Sequence, residues 1–342
     1  MRPLPTLMFS ILFAAAVPAA AQAQPIVLKV AHFLPVASAA HSKMIVPWCE
    51  KIETASNGQL KCQIYPAMQL GGNPSQLFGQ ARDGIADIVW TLPGYTPGRF
   101  PISEVFELPF VATTHQASSR ALWDYTQKHA QSEFAGVKPI ATWVNGPNYL
   151  HLRDKQVKTM EDLRGMKIRA PSRMSNALLT KLGASAMGMP LPQAVESYSK
   201  GVIDAAMLPW EVIPGVKMHE LSKFHAETES PRMLATSTMI YVMNQKKFDS
   251  LPPDLQKVID DHSGADTSAW VAAQFEEADA IGRKAALDRG NTVYKISAEE
   301  LERWTQATAS IRQEWIDAAG KQGGDGQALY DDAISLVDQY TK

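Results

Sequence analysis

Neither positive nor negative charge predominates in this sequence of 342 residues. Its 33 Lys and Arg residues and 35 Asp and Glu residues give a formal net charge of −2, and acids and bases are interspersed along the whole chain. Binding a run of nucleic-acid phosphates requires a basic stripe. The composition therefore argues against a nucleic-acid partner, while the length favours two domains of roughly 150 residues each.

Long apolar runs are missing after the N-terminus, where no segment approaches the roughly 18 uninterrupted apolar residues of a transmembrane helix. Residues 1–23 differ from the rest. Arg2 precedes an apolar run from Leu7 to Val17, and Ala21-Gln22-Ala23 offers an A-x-A cleavage site. We predict a cleaved signal peptide, a soluble mature chain that begins near Gln24, and a periplasmic location. The alternative is an uncleaved amphipathic or buried helix.

Cysteine is scarce, because the chain contains only Cys49 and Cys62. An oxidising compartment permits the two to pair. Cys49 shares a helical face with Ile45 and Ile52, whereas Cys62 alternates with polar residues as in a half-buried strand. Both sulfurs are expected to point at the same core, which favours a disulfide; two buried free thiols are the alternative.

Recognisable catalytic motifs are also missing, including the phosphate loop, the dinucleotide fingerprint, C-x-x-C and H-E-x-x-H. Ser185 misses the G-x-S-x-G spacing by one residue, and Lys223 stands where a zinc helix starting at His219 would need its second histidine. We predict neither catalytic activity nor a cofactor or metal. The rival interpretation is an exported hydrolase whose nucleophile and base come from distant positions.

Segments with strand-type patterns alternate with segments that have helical patterns. The first third contains β-type runs at 27–31, 60–65 and 85–90, separated by helical stretches at 40–54 and 74–83. This order predicts an α/β fold with a parallel sheet and a ligand at the carboxyl ends of its strands.

The rest of the chain repeats the theme and then becomes helical. The predicted elements are strands at 139–144, 167–169, 205–208 and 239–243, a helix at 176–182, and helical segments at 254–288 and 298–340. The middle part predicts a second α/β lobe. At about 1.5 Å per residue the 254–288 helix reaches roughly 50 Å, enough to lie along both lobes. The last segment is broken only near Gly323.

The stretch from Glu161 to Pro171 closely resembles the signature of the solute-binding proteins of TRAP (tripartite ATP-independent periplasmic) transporters, DctP-type. The resemblance covers essentially the whole mature chain. Further segments match in the family's order and spacing: Ala31-His32, Gln69-Leu70-Gly71-Gly72, Glu107-Leu108-Pro109-Phe110, Leu182-Gly183-Ala184, Met189-Pro190 and Gly201-Val202-Ile203-Asp204.

This resemblance implies a two-lobed periplasmic-binding-protein-like fold with crossing strands and a long bracing helix. Lobe I is expected to comprise residues 24–146 plus about 236–275, and lobe II residues 147–235 plus about 276–342 with the C-terminal helices. The resemblance further implies a monomer that captures a small organic carboxylate between the lobes and delivers it to small and large membrane subunits. A ligand sensor on the same fold is the alternative.

Arg169 is the expected anchor of the ligand, because the family's arginine at this position pairs with the ligand carboxylate. A guanidinium offers a planar fork of donors and stays charged. Many relatives carry a second arginine where this chain has Asn148. One fixed charge favours a monocarboxylate, unless Arg99 or Arg173 supplies the second.

The cleft wall is expected to be apolar, since Met207-Leu208 replaces a Glu-Asn pair that many relatives have before the proline. Trp210 and Trp90 are candidates for stacking on a flat ligand, although Trp90 suits a core position equally well. Glu211 is expected to accept a hydrogen bond from a ligand hydroxyl, or else to cap local backbone.

The remaining candidates follow strands or match the family's cleft positions. His32 and Phe33 come directly after the first strand, while Tyr95, Met189 and Tyr241 occupy positions that line the cleft in relatives and have equally good packing explanations. We predict an aromatic or otherwise hydrophobic monocarboxylate, with a 2-oxo or 2-hydroxy group as a further feature. A C4-dicarboxylate or sugar acid is the alternative.

Overall fold

The computed structural model describes residues 24–321 and 324–342, so the predicted signal peptide lies outside the described residues. The strands are β1 (Ile26–Ala31), β2 (Leu60–Tyr65), β3 (Ile88–Thr91), β4 (Val137–Val144), β5 (Tyr149–Leu152), β6 (Lys167–Ala170), β7 (Ser185–Gly188), β8 (Ala205–Leu208), β9 (Phe224–Glu227), β10 (Thr238–Asn244) and β11 (Thr292–Lys295).

The helices begin with a π-helical turn, Ala40–Ile45, that continues directly into α1. They are α1 (Val46–Ala55), α2 (Leu77–Arg82), α3 (His115–His129), α4 (Met160–Leu163), α5 (Arg173–Lys181), α6 (Leu191–Ser199), α7 (Met218–Leu221), α8 (Gln245–Asp249), α9 (Pro253–Asp261), α10 (Ala265–Asp288), α11 (Ala298–Thr308), α12 (Ser310–Gly320) and α13 (Gly326–Thr341). Within the described ranges, none combines the length and apolar character that crossing a membrane requires.

The strands form two mixed sheets. The first has the order β2-β1-β3-β10-β4, with β1 parallel to β2 and β3, and β10 antiparallel to both its neighbours. The second has the order β11-β9-β5-β8-β6-β7, with β6 parallel to β7 and β8. The predicted α/β class is confirmed, and β5 and β10 add antiparallel pairs to it.

The chain crosses between the sheets where the lobes meet. β4 in the first sheet leads to β5 in the second, and β9 leads back to β10. Helix α10 packs against β4 in one sheet and β11 in the other. Crossing strands and a bracing helix are therefore both present.

The bracing helix is shorter than predicted. Residues 254–288 form two helices, because α9 ends at Asp261 and α10 begins at Ala265. Gly264 separates them with a φ of +105°, a conformation that side chains disfavour, and its N–H donates to the carbonyl of Ile140 at 2.9 Å. The 24 residues of α10 span about 36 Å. The predicted break near Gly323 lies outside the described residues.

The apolar cores follow the sheets only in part. Phe106 and Tyr125, from the region predicted to belong to lobe I, pack in the same core as Ile168 of β6 and Trp304 of α11. We therefore propose lobes centred on the two sheets, with the predicted boundaries, except that residues 103–129 pack with the C-terminal helices.

A disulfide joins Cys49 of α1 to Cys62 of β2, which confirms the predicted pairing. The two residues are 13 positions apart. Helix α1 and β2 both pack on the first sheet's core, where Cys49 is buried beside Ile45 and Ile52. The bond therefore ties a helix to the edge strand of that sheet.

Reduction of this disulfide, or replacement of both cysteines by serine, is expected to lower the free energy of unfolding by about 2 to 3 kcal/mol, because the unfolded chain regains the freedom of a short loop. Urea denaturation with and without reductant measures the change. Reductant should leave the double-serine variant unaffected. An unchanged midpoint for the reduced wild-type chain would contradict the prediction.

Candidate functional site

A cavity lined mostly by buried residues lies between the two sheets, at the carboxyl ends of β1, β3 and β8. The space between its lining atoms, including the part that opens to solvent, is about 320 Å³. Its lining consists of Phe33, Leu34, Trp90, Leu92, Tyr95, Asn145, Asn148, Arg169, Pro171, Leu191, Leu208, Pro209, Glu211, Val212, Ser237 and Met239.

A larger and more open groove adjoins this cavity and shares Phe33 and Leu34 with it. Pro74 and Pro192 lie on its opposite sides, and its charged lining residues are Glu196 and Lys217. Both charges belong to flexible side chains at the surface. The buried cavity is the better candidate site, because a fixed charge in it can orient an anion.

Arg169 is the central polar side chain of the cavity and is 1% exposed. Its Nε donates to the carbonyl of Met189 at 3.0 Å, Nη1 to the carbonyl of Met207 at 3.0 Å, and Nη2 to the hydroxyl of Tyr95 at 3.1 Å. These bonds fix the plane of the guanidinium and use three of its five N–H donors. One N–H remains on each Nη.

The charge of Arg169 has no acidic counterpart in the part of the chain that the structure describes. The structure gives it no salt bridge within residues 24–321 and 324–342, and its three partners are neutral oxygens. Burial lowers the pKa of Arg169, yet a guanidinium remains charged at any physiological pH. A buried cation of this kind is costly unless an anion joins it. The two remaining N–H groups match the two oxygens of a carboxylate.

Tyr95 connects the lobes beside this charge. It ends a short 3-10 turn after β3, and its hydroxyl oxygen accepts hydrogen bonds from Nη2 of Arg169 on β6 and from the N–H of Leu191 at the start of α6, the latter at 3.0 Å. Since both acceptor positions are occupied, the phenolic hydrogen is left to donate to a ligand. Burial raises the pKa of Tyr95, which keeps the phenol protonated.

Replacement of Tyr95 by phenylalanine is expected to weaken ligand binding about 10- to 100-fold, because the closed form would bury unpaired donors of Arg169 and Leu191. Isothermal titration calorimetry measures the effect. Tyr241→Phe is the matched control, since the buried hydroxyl of Tyr241 has no partner among the described residues. Equal affinities for the two variants would contradict the proposed role.

Asn148 provides a neutral hydrogen-bonding group where many relatives carry arginine. Its Nδ2 donates to Oγ of Ser237 at 3.0 Å, and its buried Oδ1 has no partner in the described part of the chain. The Ser237 hydroxyl can accept from the amide nitrogen or donate to the amide oxygen. If the side-chain amide of Asn148 rotates by half a turn, its oxygen accepts a hydrogen bond from Ser237. Its N–H groups can then donate to an anion in the cavity.

Aromatic rings form a flat wall of the cavity. Phe33 stacks on Trp90 with ring centroids 4.7 Å apart and an interplanar angle of 14°, and it meets Tyr95 edge to face at 5.4 Å. Leu208 and Met239 add aliphatic surface. The slot suits a planar, apolar body.

Two predicted contacts on the β8 side point away from the cavity. Nε1 of Trp210 donates to Glu227 at 2.9 Å, and its ring meets His151 edge to face at 4.9 Å. The Met207 side chain packs in the core under the second sheet. Alternation along β8 directs Met207 away from the cavity that Leu208 lines, whereas the turn that follows Pro209 places Glu211, and not Trp210, in the lining. The apolar wall is thus real, but Leu208 and Pro209 form it.

His32, Met189 and Tyr241 also lie outside the lining. Nε2 of His32 is 2.9 Å from Nδ1 of His41, and burial, with His41 nearby, lowers the pKa of His32 to about 3. This neutral ring supports the chain behind Phe33. Met189 contributes only its carbonyl, and Tyr241 packs edge to face on Trp48 at 5.1 Å.

The lining contains residues that the sequence pattern did not single out, including Asn145, Leu191, Ser237 and Met239. Asn145 immediately follows β4, and Leu191 begins α6. Ser237 and Met239 flank the start of β10. In the sequence, these residues are distinguished only by their position near the ends of predicted strands and helices. That position does not show whether a side chain lines the cavity or packs in the core.

Glu211 is the acidic residue among the lining residues that the structure describes, and it is 4% exposed. Its backbone N–H donates to Oδ1 of Asp279 on α10 at 2.7 Å, and Oδ2 of Asp279 is 2.9 Å from Nε2 of His115. Its Oε2 has no partner among the described residues. Burial, and then the charge of Asp279, raise the pKa of Glu211 well above its usual range.

Two lobes closed around an anion-binding cavity define the class of two-lobed solute-binding proteins. Residues 30–318 match the family model described as bacterial extracellular solute-binding protein, family 7, and the chain belongs to this DctP family of TRAP transporter components.

Solved structures of similar proteins share this fold. A TRAP solute-binding protein from Rhodoferax ferrireducens, with copurified benzoate, is 44% identical over 92% of this chain and 98% of its own, with a TM-score of 0.90. A marine metagenome protein specific for aromatic acids, with 3-hydroxybenzoate, is 40% identical over 93% and 100%, with a TM-score of 0.91. A Bordetella bronchiseptica protein with bound mandelate is 27% identical over 92% and 99%, with a TM-score of 0.85.

Proposed function

We propose that this protein captures an aromatic monocarboxylate, with the carboxylate on Arg169 and the ring against Phe33 and Trp90. The observation that carries the proposal is a buried guanidinium that has no acidic partner among the described residues and lies next to a flat aromatic wall. The benzoate, 3-hydroxybenzoate and mandelate bound by similar proteins support the same ligand class.

A single carboxylate is favoured because, of the lining residues that the structure describes, Arg169 is the only basic one. Arg173 pairs with Glu104, and Nη2 of Arg99 donates to the carbonyl of Ala135 at 3.1 Å. Neither supplies the second charge considered for this site. The second carboxylate of a C4-dicarboxylate would enter an apolar slot and lose its hydration without compensation.

The family membership extends the proposal to transport. The loaded protein, acting in the periplasm as a monomer after removal of residues 1–23, delivers its ligand to small and large membrane subunits and does not transform it. Closure of the lobes by Tyr95 provides the loaded form that such subunits distinguish from the open form.

Mass spectrometry of the ligand released on denaturation, combined with a thermal-shift screen, tests the proposal. Benzoate, hydroxybenzoates and mandelate are expected to raise the melting temperature, because a ligand that binds only the folded state stabilises it. Stabilisation by succinate or sugar acids alone would contradict it.

A further inference from the structure

We propose that Glu211 determines specificity by hydrogen bonding to a hydroxyl group that the ligand carries on its ring, away from the carboxylate. This assignment rests on the proposed function of the cavity. It adds a second polar recognition point to a site whose first is Arg169.

The geometry of Glu211 favours a ligand contact over a structural role. Its side chain lines the cavity, and the structure gives its carboxyl group no salt bridge within the described ranges, while Oε2 is buried without any partner. Among the described residues, Glu211 is held through its backbone N–H, which donates to Oδ1 of Asp279. A buried carboxyl group without a partner is costly. An apolar residue would serve better if this position only completed the wall.

The polar contacts of the cavity are divided between two sites. Arg169 lies on β6 and is held by Met207 and Tyr95, whereas Glu211 follows the end of β8 and is fixed to α10 by Asp279. The three hydrogen bonds that Arg169 makes among the described residues do not include Glu211. A ligand with its carboxylate on Arg169 therefore presents another part of its ring to Glu211.

The protonation state of Glu211 suits a second contact with an anionic ligand. An ionised carboxylate in a small cavity would repel the ligand carboxylate. Burial and the adjacent Asp279 raise the pKa of Glu211, while Tyr95 stays neutral. The neutral acid can accept a hydrogen bond from a hydroxyl and donate one to the same oxygen.

Calorimetric titration of the purified protein with benzoate and its 2-, 3- and 4-hydroxy derivatives tests the assignment. The wild-type protein is expected to bind the 3- or 4-hydroxy acid at least about tenfold more tightly than benzoate, the gain of one hydrogen bond. The 2-hydroxy acid is the ligand control, because its hydroxyl lies beside the carboxylate. Glu211→Leu should bring the ratio of the two affinities to about one.

Glu211→Gln is the matched variant, since an amide keeps both hydrogen-bonding functions without an ionisable group. It should preserve most of the preference. The melting temperature of ligand-free Glu211→Leu should be no lower than that of the wild type, because the substitution removes an unpaired buried carboxyl group. An unchanged ratio in Glu211→Leu, or benzoate as the tightest wild-type ligand, would overturn the assignment. If none of the four acids bound the wild type, the proposed function itself would fail.

Discussion

Replacement of Arg169 by glutamine is expected to reduce the affinity for an aromatic carboxylate by about 10² to 10⁴. Two charge-assisted hydrogen bonds are lost, each worth roughly 1.5 to 3 kcal/mol. Arg169→Lys should recover little of the loss, because a single ammonium cannot keep the contacts to Met189, Met207 and Tyr95 and also present a fork to the ligand. Titration calorimetry with benzoate measures both variants.

The stability of the ligand-free protein should change much less than the affinity. The substitution removes three hydrogen bonds to neutral oxygens, but it also removes a buried cation that no acidic side chain of the described residues compensates. Lys167→Ala is the matched control, because it removes one positive charge from an exposed position on the same strand. Binding by Arg169→Gln within tenfold of the wild type would contradict the placement of the carboxylate.

Strand prediction succeeded where burial and turn signals coincide. The bounds of β2 and β8 agree with the sequence pattern, since each strand-type run ends at a proline, Pro66 or Pro209. β5 and β9 were missed because they carry histidines inside the sheet, with Nδ1 of His151 only 2.7 Å from Nδ1 of His225. The two histidines become hydrogen-bond partners only in the folded structure. The sequence of either segment alone therefore does not indicate a buried strand.

The site was predictable to the level of sequence position but not of side-chain direction. The resemblance to a family located Arg169, and its pairing partners Tyr95 and Met207 were also among the expected residues. Trp210 was expected in the cavity because it is flat and apolar, but the turn after Pro209 directs Glu211 inward and Trp210 toward Glu227. The residue types in this segment predict an apolar cavity wall, but the local backbone conformation determines which of these side chains face the cavity.

The close packing of the bracing helix on the cavity wall depends on Gly282. A Cβ atom at this position of α10 would lie 1.9 Å from the carbonyl oxygen of Trp210 and 2.7 Å from its carbonyl carbon. Both are backbone atoms, so no side-chain rotation relieves the overlap. The wall segment bearing Glu211 and Val212 must then move away from the helix.

Gly282→Ala is therefore expected to cost about 3 kcal/mol of stability, because the overlap outweighs the roughly 1 kcal/mol by which alanine favours a helix over glycine. Ligand affinity should fall more than tenfold as well, since Glu211 and Val212 line the cavity. Gly79→Ala in α2 is the matched control, because a Cβ there meets nothing within 4 Å and should stabilise the protein. Urea denaturation and titration calorimetry report the two effects, and a gain of stability at both positions would show that the wall segment adjusts freely to the helix.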